Sequence, residues 1–116
     1  QRLCAVSAKR WLMKKYRVDV SEPAENDLRD IVRYISAQLA APLTAVQMIT
    51  SMENAFTGLM DTPHKYPLVA DERLASMGYR KLVVKNYIVF FIINEKDRTV
   101  GVERILYARR DWLGIV

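Results

Sequence analysis

Apolar and polar positions recur with two periods along this chain, and each change of period marks an element. Tyr16, Val18 and Val20 alternate with Arg17 and Asp19, the period of a half-buried strand. Ser21 follows as an N-cap. Glu22 and Pro23 then occupy a first turn where a missing N–H costs nothing and a carboxylate meets the helix dipole. A helix is predicted from Glu22 to about Leu39. Its apolar stripe is Ala24, Leu28, Ile31, Ile35 and Leu39, while Glu25, Asn26, Arg29, Asp30 and Arg33 face water. Ala40-Ala41-Pro42 ends it, and so short a break makes the next helix an antiparallel neighbour. That helix runs from about Leu43 to Met60, with Ala45, Ile49, Met52, Phe56 and Leu59 on one stripe and Met48, Met52 and Met60 as adaptable core filler.

Pro63 and Pro67 keep the segment Asp61 to Glu72 extended. Arg73 to Met77 reads as one helical turn stopped by Gly78. Three strands follow: Tyr79 to Lys85, Tyr87 to Asn94 after a tight turn at Asn86, and Thr99 to about Ala108 after the turn Glu95 to Arg98. From Tyr87 to Ile93 every residue is apolar, a run too short for a membrane and suited to a strand buried on both faces. The order β-α-α-β-β-β predicts a two-layer α+β domain. A helical hairpin packs on one face of a mainly antiparallel sheet, and the opposite face is expected to stay open.

The chain has 116 residues, the size of one domain. Residues 1–12 read as an extension or an upstream-start segment, with a short added helix as the other possibility; the domain reads as 13–116. The net charge of +5 is uneven. Residues 77–116 carry eight cations and four anions, whereas residues 13–76 carry seven cations and nine anions. An electropositive C-terminal sheet fits nucleic acid, an acidic protein segment or simply a solvated basic surface. Cys4 is the lone cysteine, which excludes a disulfide within the chain and points to the cytoplasm. No metal or other cofactor is expected. His64 is the lone histidine and reads as a surface loop residue, and the isolated glycines form no phosphate loop. Asp71-Glu72 reads as a capping or salt-bridging pair.

The cations carry the candidate chemistry. Arg104 and Arg110 share parity with Val102 and Leu106 if the last strand runs unbroken, and Arg109 then points away with Tyr107. Lys81 and Lys85 lie on one face of their strand and Arg80 on the other. Arginine forks fit phosphate or carboxylate, and lysine adds a point charge. Tyr79, Tyr87, Tyr107 and Trp112 offer rings that either stack on bases or complete the edge of the core.

Four stretches together resemble the RelE/ParE superfamily of type II toxin–antitoxin toxins: VxxSEPAENDLRDIVRYI, PHKYPLVADE, GYRKLVVKNYIVFFIINE and VGVERILYARRDW. The resemblance spans Met13 to about Leu113. It implies the fold derived above, and a cognate antitoxin whose acidic or amphipathic C-terminal segment wraps the toxin. It also implies one of two targets: RelE-like members cut mRNA on the ribosome, and ParE-like members poison DNA gyrase. On the RelE-like pattern, Arg110 falls at a functional arginine, Arg80, Lys81 and Lys85 lie on the strand that supplies other cations, and Tyr87 or Tyr107 is the proton-transfer candidate. Arg104, Arg109 and Trp112 complete the binding surface for phosphate or an acidic partner. Yet Ile88 replaces the arginine that commonly follows the strand-three tyrosine, and Leu-Gly-Ile-Val after Trp112 supplies no His or Tyr. Cleavage by a 2′-hydroxyl needs a proton acceptor, a proton donor and charge stabilisation. Clear candidates exist only for the last, so the expectation is a ParE-like gyrase inhibitor. A RelE-like nuclease and a degenerate, non-toxic member are the alternatives.

Overall fold

The computed structural model describes residues 15–110, 112 and 114–116; the expectations for residues 1–14 lie outside it. In chain order the elements are β1 (Arg17–Val20), α1 (Glu22–Arg33), α2 (Pro42–Asp61), α3 (Glu72–Ser76), β2 (Arg80–Val84), β3 (Tyr87–Asn94) and β4 (Thr99–Tyr107). The sheet order is β1-β4-β3-β2. β1 runs parallel to β4, and the other two pairings are antiparallel. The α+β hairpin-on-sheet arrangement is the one that the hydrophobic pattern predicts.

Local chemistry sets the boundaries. Ser21 caps α1 by accepting the Ala24 N–H at 3.1 Å, and its own hydroxyl donates to the Glu103 carbonyl at 2.9 Å. The cap therefore also fastens the helix to β4. Asp71 caps α3 by accepting the Leu74 N–H at 2.9 Å, the role expected of the Asp71-Glu72 pair. Gly78 stops α3 at φ 91°, a left-handed conformation that favours glycine.

The main core lies between the α1–α2 hairpin and the sheet. Val18, Ile31, Ile35, Met52, Phe56, Leu59, Val89, Phe91, Val100, Val102 and Ile105 are all buried there. Two stripe positions differ from expectation. After Arg33 the helix widens into a π-helical turn over Tyr34–Gln38, where the Leu39 N–H donates five residues back to the Tyr34 carbonyl. A wider turn shifts the phase of every side chain beyond it, so Leu39 faces water at 56% exposure while Ile35 stays buried. In α2 the buried stripe is Ala45, Met48, Met52, Phe56 and Leu59. Met48 takes the place expected for Ile49, which is turned outward.

The last strand is not unbroken. Phe90 pairs with Arg104 and Phe91 with Val102, so Glu103 is an extra residue in β4. Such a bulge flips the side-chain alternation beyond it. Val102 and Ile105 both face the hairpin, and Leu106 falls on the other face. The parity expected for Val102, Arg104, Leu106 and Arg110 is thereby corrected, and the strand ends at Tyr107, short of Arg110.

Nor is the opposite face open. Val69, Leu74, Tyr79, Ile88, Phe90 and Leu106 form a second core there, with Trp112, Ile115 and Val116 packed against it. The loop before β2 also extends the sheet edge. The Lys81 N–H donates to Pro67 at 3.1 Å, and the Val69 N–H donates to Tyr79 at 3.0 Å. The pattern missed this cover because residues 67–79 and the chain end show neither a helical nor a strand period of useful length.

Candidate functional site

One corner of the sheet gathers much of the candidate chemistry. Val84 pairs with Tyr87, so Lys85 and Asn86 form a two-residue hairpin loop, with Lys85 at φ 54°. Asn or Gly suits such a position better, and a lysine there carries local backbone strain. The Ala108 N–H donates to the Asn86 carbonyl at 2.8 Å, and the Arg110 N–H to Tyr107 at 3.0 Å. These bonds fold the end of β4 against the hairpin loop and place exposed Arg109 and Arg110 beside it. Tyr87 and Tyr107 meet edge to face at 5.7 Å between ring centroids. The sequence reading did not single out Tyr34, an exposed residue of the π-helical turn. It lies near enough to raise the Tyr87 hydroxyl pKa, a shift caused first by burial, then by Tyr34 and Tyr107. A regular helical period gives no reason to single it out, because the wider turn is not visible in the spacing.

Other expected site residues are occupied elsewhere. Arg104 makes a bidentate pair with Asp27 of α1, at 2.7 and 2.9 Å, and the same carboxylate accepts the Ile105 N–H at 3.0 Å. Arg80 donates to the Tyr66 carbonyl at 2.7 Å and so fastens the loop before β2. Lys81 is partly buried in mid-strand. Trp112 lies 4.9 Å from Phe90 in the second core.

The opposite end of the sheet holds a separate cluster. Glu95 accepts from the Tyr16 hydroxyl at 2.9 Å and contacts His64 through its other oxygen. Arg98 stacks over the Tyr16 ring at 4.8 Å. His64 is thus a half-exposed loop residue with a partner. The length of β3, about 23 Å at ordinary strand rise, separates this cluster from the Tyr87 corner. Among the described residues, no three His, Cys, Asp or Glu side chains converge as metal ligands. No helix among them is long and apolar enough to cross a membrane.

The fold makes three phenols harder to ionise. Tyr16, Tyr79 and Tyr87 are all raised above 10.0, and burial is the first cause in each case. A raised pKa means that the native state binds more protons than the unfolded chain once pH exceeds the unfolded value. The stabilisation is complete below that value and is lost as pH rises through the folded ones. The urea midpoint is therefore expected to fall above about pH 10, in step with tyrosinate absorbance. A midpoint that holds steady while the phenols ionise would contradict this.

Comparison with known proteins places this geometry. The model of a family described as the ParE toxin of the type II toxin–antitoxin system parDE matches residues 18–112. The chromosomal ParDE toxin–antitoxin system from P. aeruginosa has a similar fold. It aligns at a TM-score of 0.66 and 15% identity, over 82% of this chain and 98% of that one. The RelBE2 toxin–antitoxin complex from Mycobacterium tuberculosis aligns at 0.57 and 19% identity, over 80% and 98%. No curated protein sequence matches. The match to the family model covers most of the domain, from β1 to Trp112, and the chain belongs to the ParE toxin family of type II toxin–antitoxin systems.

Proposed function

We propose that this toxin arrests growth in the cytoplasm by binding DNA gyrase, and that its antitoxin silences it with an acidic segment laid against the basic corner. The observation that carries the reading is an imbalance in the corner's chemistry. Lys85, Arg109 and Arg110 can hold an anion, but no good proton acceptor stands beside them among the described residues. The Tyr87 phenol, already protonated at neutral pH, has its pKa raised further by burial, and His64 is engaged with Glu95 at the far end of the sheet. A nuclease that activates a 2′-hydroxyl needs a base at the phosphate. A protein-binding toxin does not.

Purified protein added to a gyrase supercoiling assay should inhibit the reaction. Induced cells should show a DNA-damage response and filamentation before translation falls. Immediate loss of protein synthesis, with new transcript ends inside codons, would overturn the reading in favour of the RelE-like alternative. Unimpaired growth would favour a non-toxic member.

Arg110→Ala is expected to weaken toxicity and to speed dissociation of the antitoxin, because a desolvated charge contact acts mainly on the off-rate. Arg29→Ala removes an exposed cation of α1 whose bond among the described residues is to Asn26, and should change neither. Growth curves and surface plasmon resonance on both variants check this. The reverse pattern would move the functional surface to the helices.

A further inference from the structure

We infer that the outer face of the first half of α2 is the surface through which two copies of this chain pair. Four large apolar side chains lie bare there. Leu39 is 56% exposed, Leu43 78%, Val46 57% and Ile49 37%. Leu43, Val46 and Ile49 recur every three residues, so they form one ridge along the helix, outside the buried stripe of Ala45, Met48 and Met52. Leu39 stands just ahead of them, at the end of the π-helical turn that leaves it in water. Thr50, exposed one turn beyond Val46, donates its hydroxyl to the Val46 carbonyl at 3.2 Å. Its polar group already has a partner on the helix itself, and covering the ridge does not strand it.

Area and charge both point to a second copy as the occupant. The four side chains present roughly 400 Å² of surface, within the range of patches that ordinarily serve a function. Two copies bury about twice that from these side chains alone. Gln47 and Thr50, exposed beside them, bring the total to the roughly 1,000 Å² that a specific interface needs. The chain as a whole carries +5, yet from Tyr34 through Met52 it has no charged residue. Two copies of so basic a protein repel wherever their charges meet. On a two-fold axis a patch meets itself, so a charge near the axis faces its own like. An uncharged ridge avoids that cost. Val46 is at the middle of the ridge, and an axis through it sets Val46 against Val46 of the other copy. An acidic partner finds no cation to pair with on this stretch.

This inference does not depend on which target the toxin binds. Sedimentation equilibrium on the purified full chain should show the mass rising with concentration to twice that of one chain. Raising the salt should tighten the pairing, because it screens the repulsion between two basic copies; the grip of an acidic partner would loosen instead. Val46→Arg should weaken pairing at least about thirtyfold, since each copy then buries a cation against its like. Leu43→Ser, at the most exposed position of the ridge, spares the core and should weaken pairing several-fold. Asn54→Arg, exposed further along α2 and beyond the ridge, should pair like the unaltered chain. Far-UV circular dichroism and urea midpoints close to those of the unaltered chain separate lost pairing from lost folding. The inference is overturned by a single-copy mass at every concentration, by pairing that salt weakens, or by Val46→Arg and Leu43→Ser pairing as the unaltered chain does. A chain that stays single until an antitoxin segment is added, and whose ridge that segment then shields from hydrogen exchange, would assign the face to the antitoxin and likewise overturn it.

Discussion

Asp27→Ala should cost about 3 kcal/mol of folding stability, between the worth of an exposed ion pair and the cost of breaking a buried one. Asp27 and Arg104 retain only 13% and 25% of their side-chain exposure. The carboxylate receives both forks of Arg104 and, in addition, the Ile105 N–H that the bulge at Glu103 turns away from the β-ladder. Removing it leaves a half-buried guanidinium and a backbone donor without partners, and unpaired buried groups carry the desolvation penalty in full. The pair also raises the Arg104 pKa, first through the Asp27 hydrogen bond. Even without that partner a guanidinium keeps its proton in a folded protein, so Arg104 stays charged in the variant and cannot escape by deprotonating.

Asp27→Ala/Arg104→Met removes both charges and should recover at least half of the loss, because an apolar replacement relieves the desolvation cost. Urea denaturation of the single and double variants measures the coupling directly. If the double variant is no more stable than Asp27→Ala, the loss comes from the Ile105 N–H and not from the stranded guanidinium. Function should follow stability here. β4 beyond the bulge ends in Tyr107 and leads to Arg109 and Arg110, so loosening Arg104 also loosens the corner.

The bulge explains why Arg104 was misplaced by sequence reasoning. Alternation along VGVERILY assigns each residue a face only while the register holds, and one extra residue reverses every assignment after it. The elements themselves were legible because their apolar stripes are long. Ser21, Pro23, Pro42 and Gly78 each punctuate the chain by a local rule that the fold obeys. The candidate site was less legible. Lys85, Tyr87, Tyr107, Arg109 and Arg110 come from the hairpin loop and the end of one strand, close enough in sequence for charge and ring chemistry to flag them together. Tyr34 belongs to a π-helical turn, and nothing in its neighbours' spacing announces that turn. Trp112 was read as a possible stacking ring because a chain end has no period to reveal that it folds back onto β3.

That fold-back gives the other large expected effect. Phe90 and Phe91 are adjacent and both fully buried, one on each face of β3. Truncating either to alanine should cost about 3–5 kcal/mol, a large part of the stability of a domain this size. The two losses should differ in kind. Phe91 packs among Met52, Phe56 and Val89 beneath the hairpin, so its removal weakens the whole domain. Phe90 carries Trp112 on its ring at 4.9 Å, and Ile115 and Val116 pack against the same small core. The backbone bonds of the last residues go to Trp112 itself, from Ile115 and Val116 at 3.0 Å. With Phe90 gone, the tail therefore has little left to hold it, and local opening becomes easier than global unfolding. Under native conditions trypsin should cut Phe90→Ala after Arg109 or Arg110 markedly faster than Phe91→Ala at equal measured stability. Equal cleavage rates would mean that the tail is not anchored through Phe90.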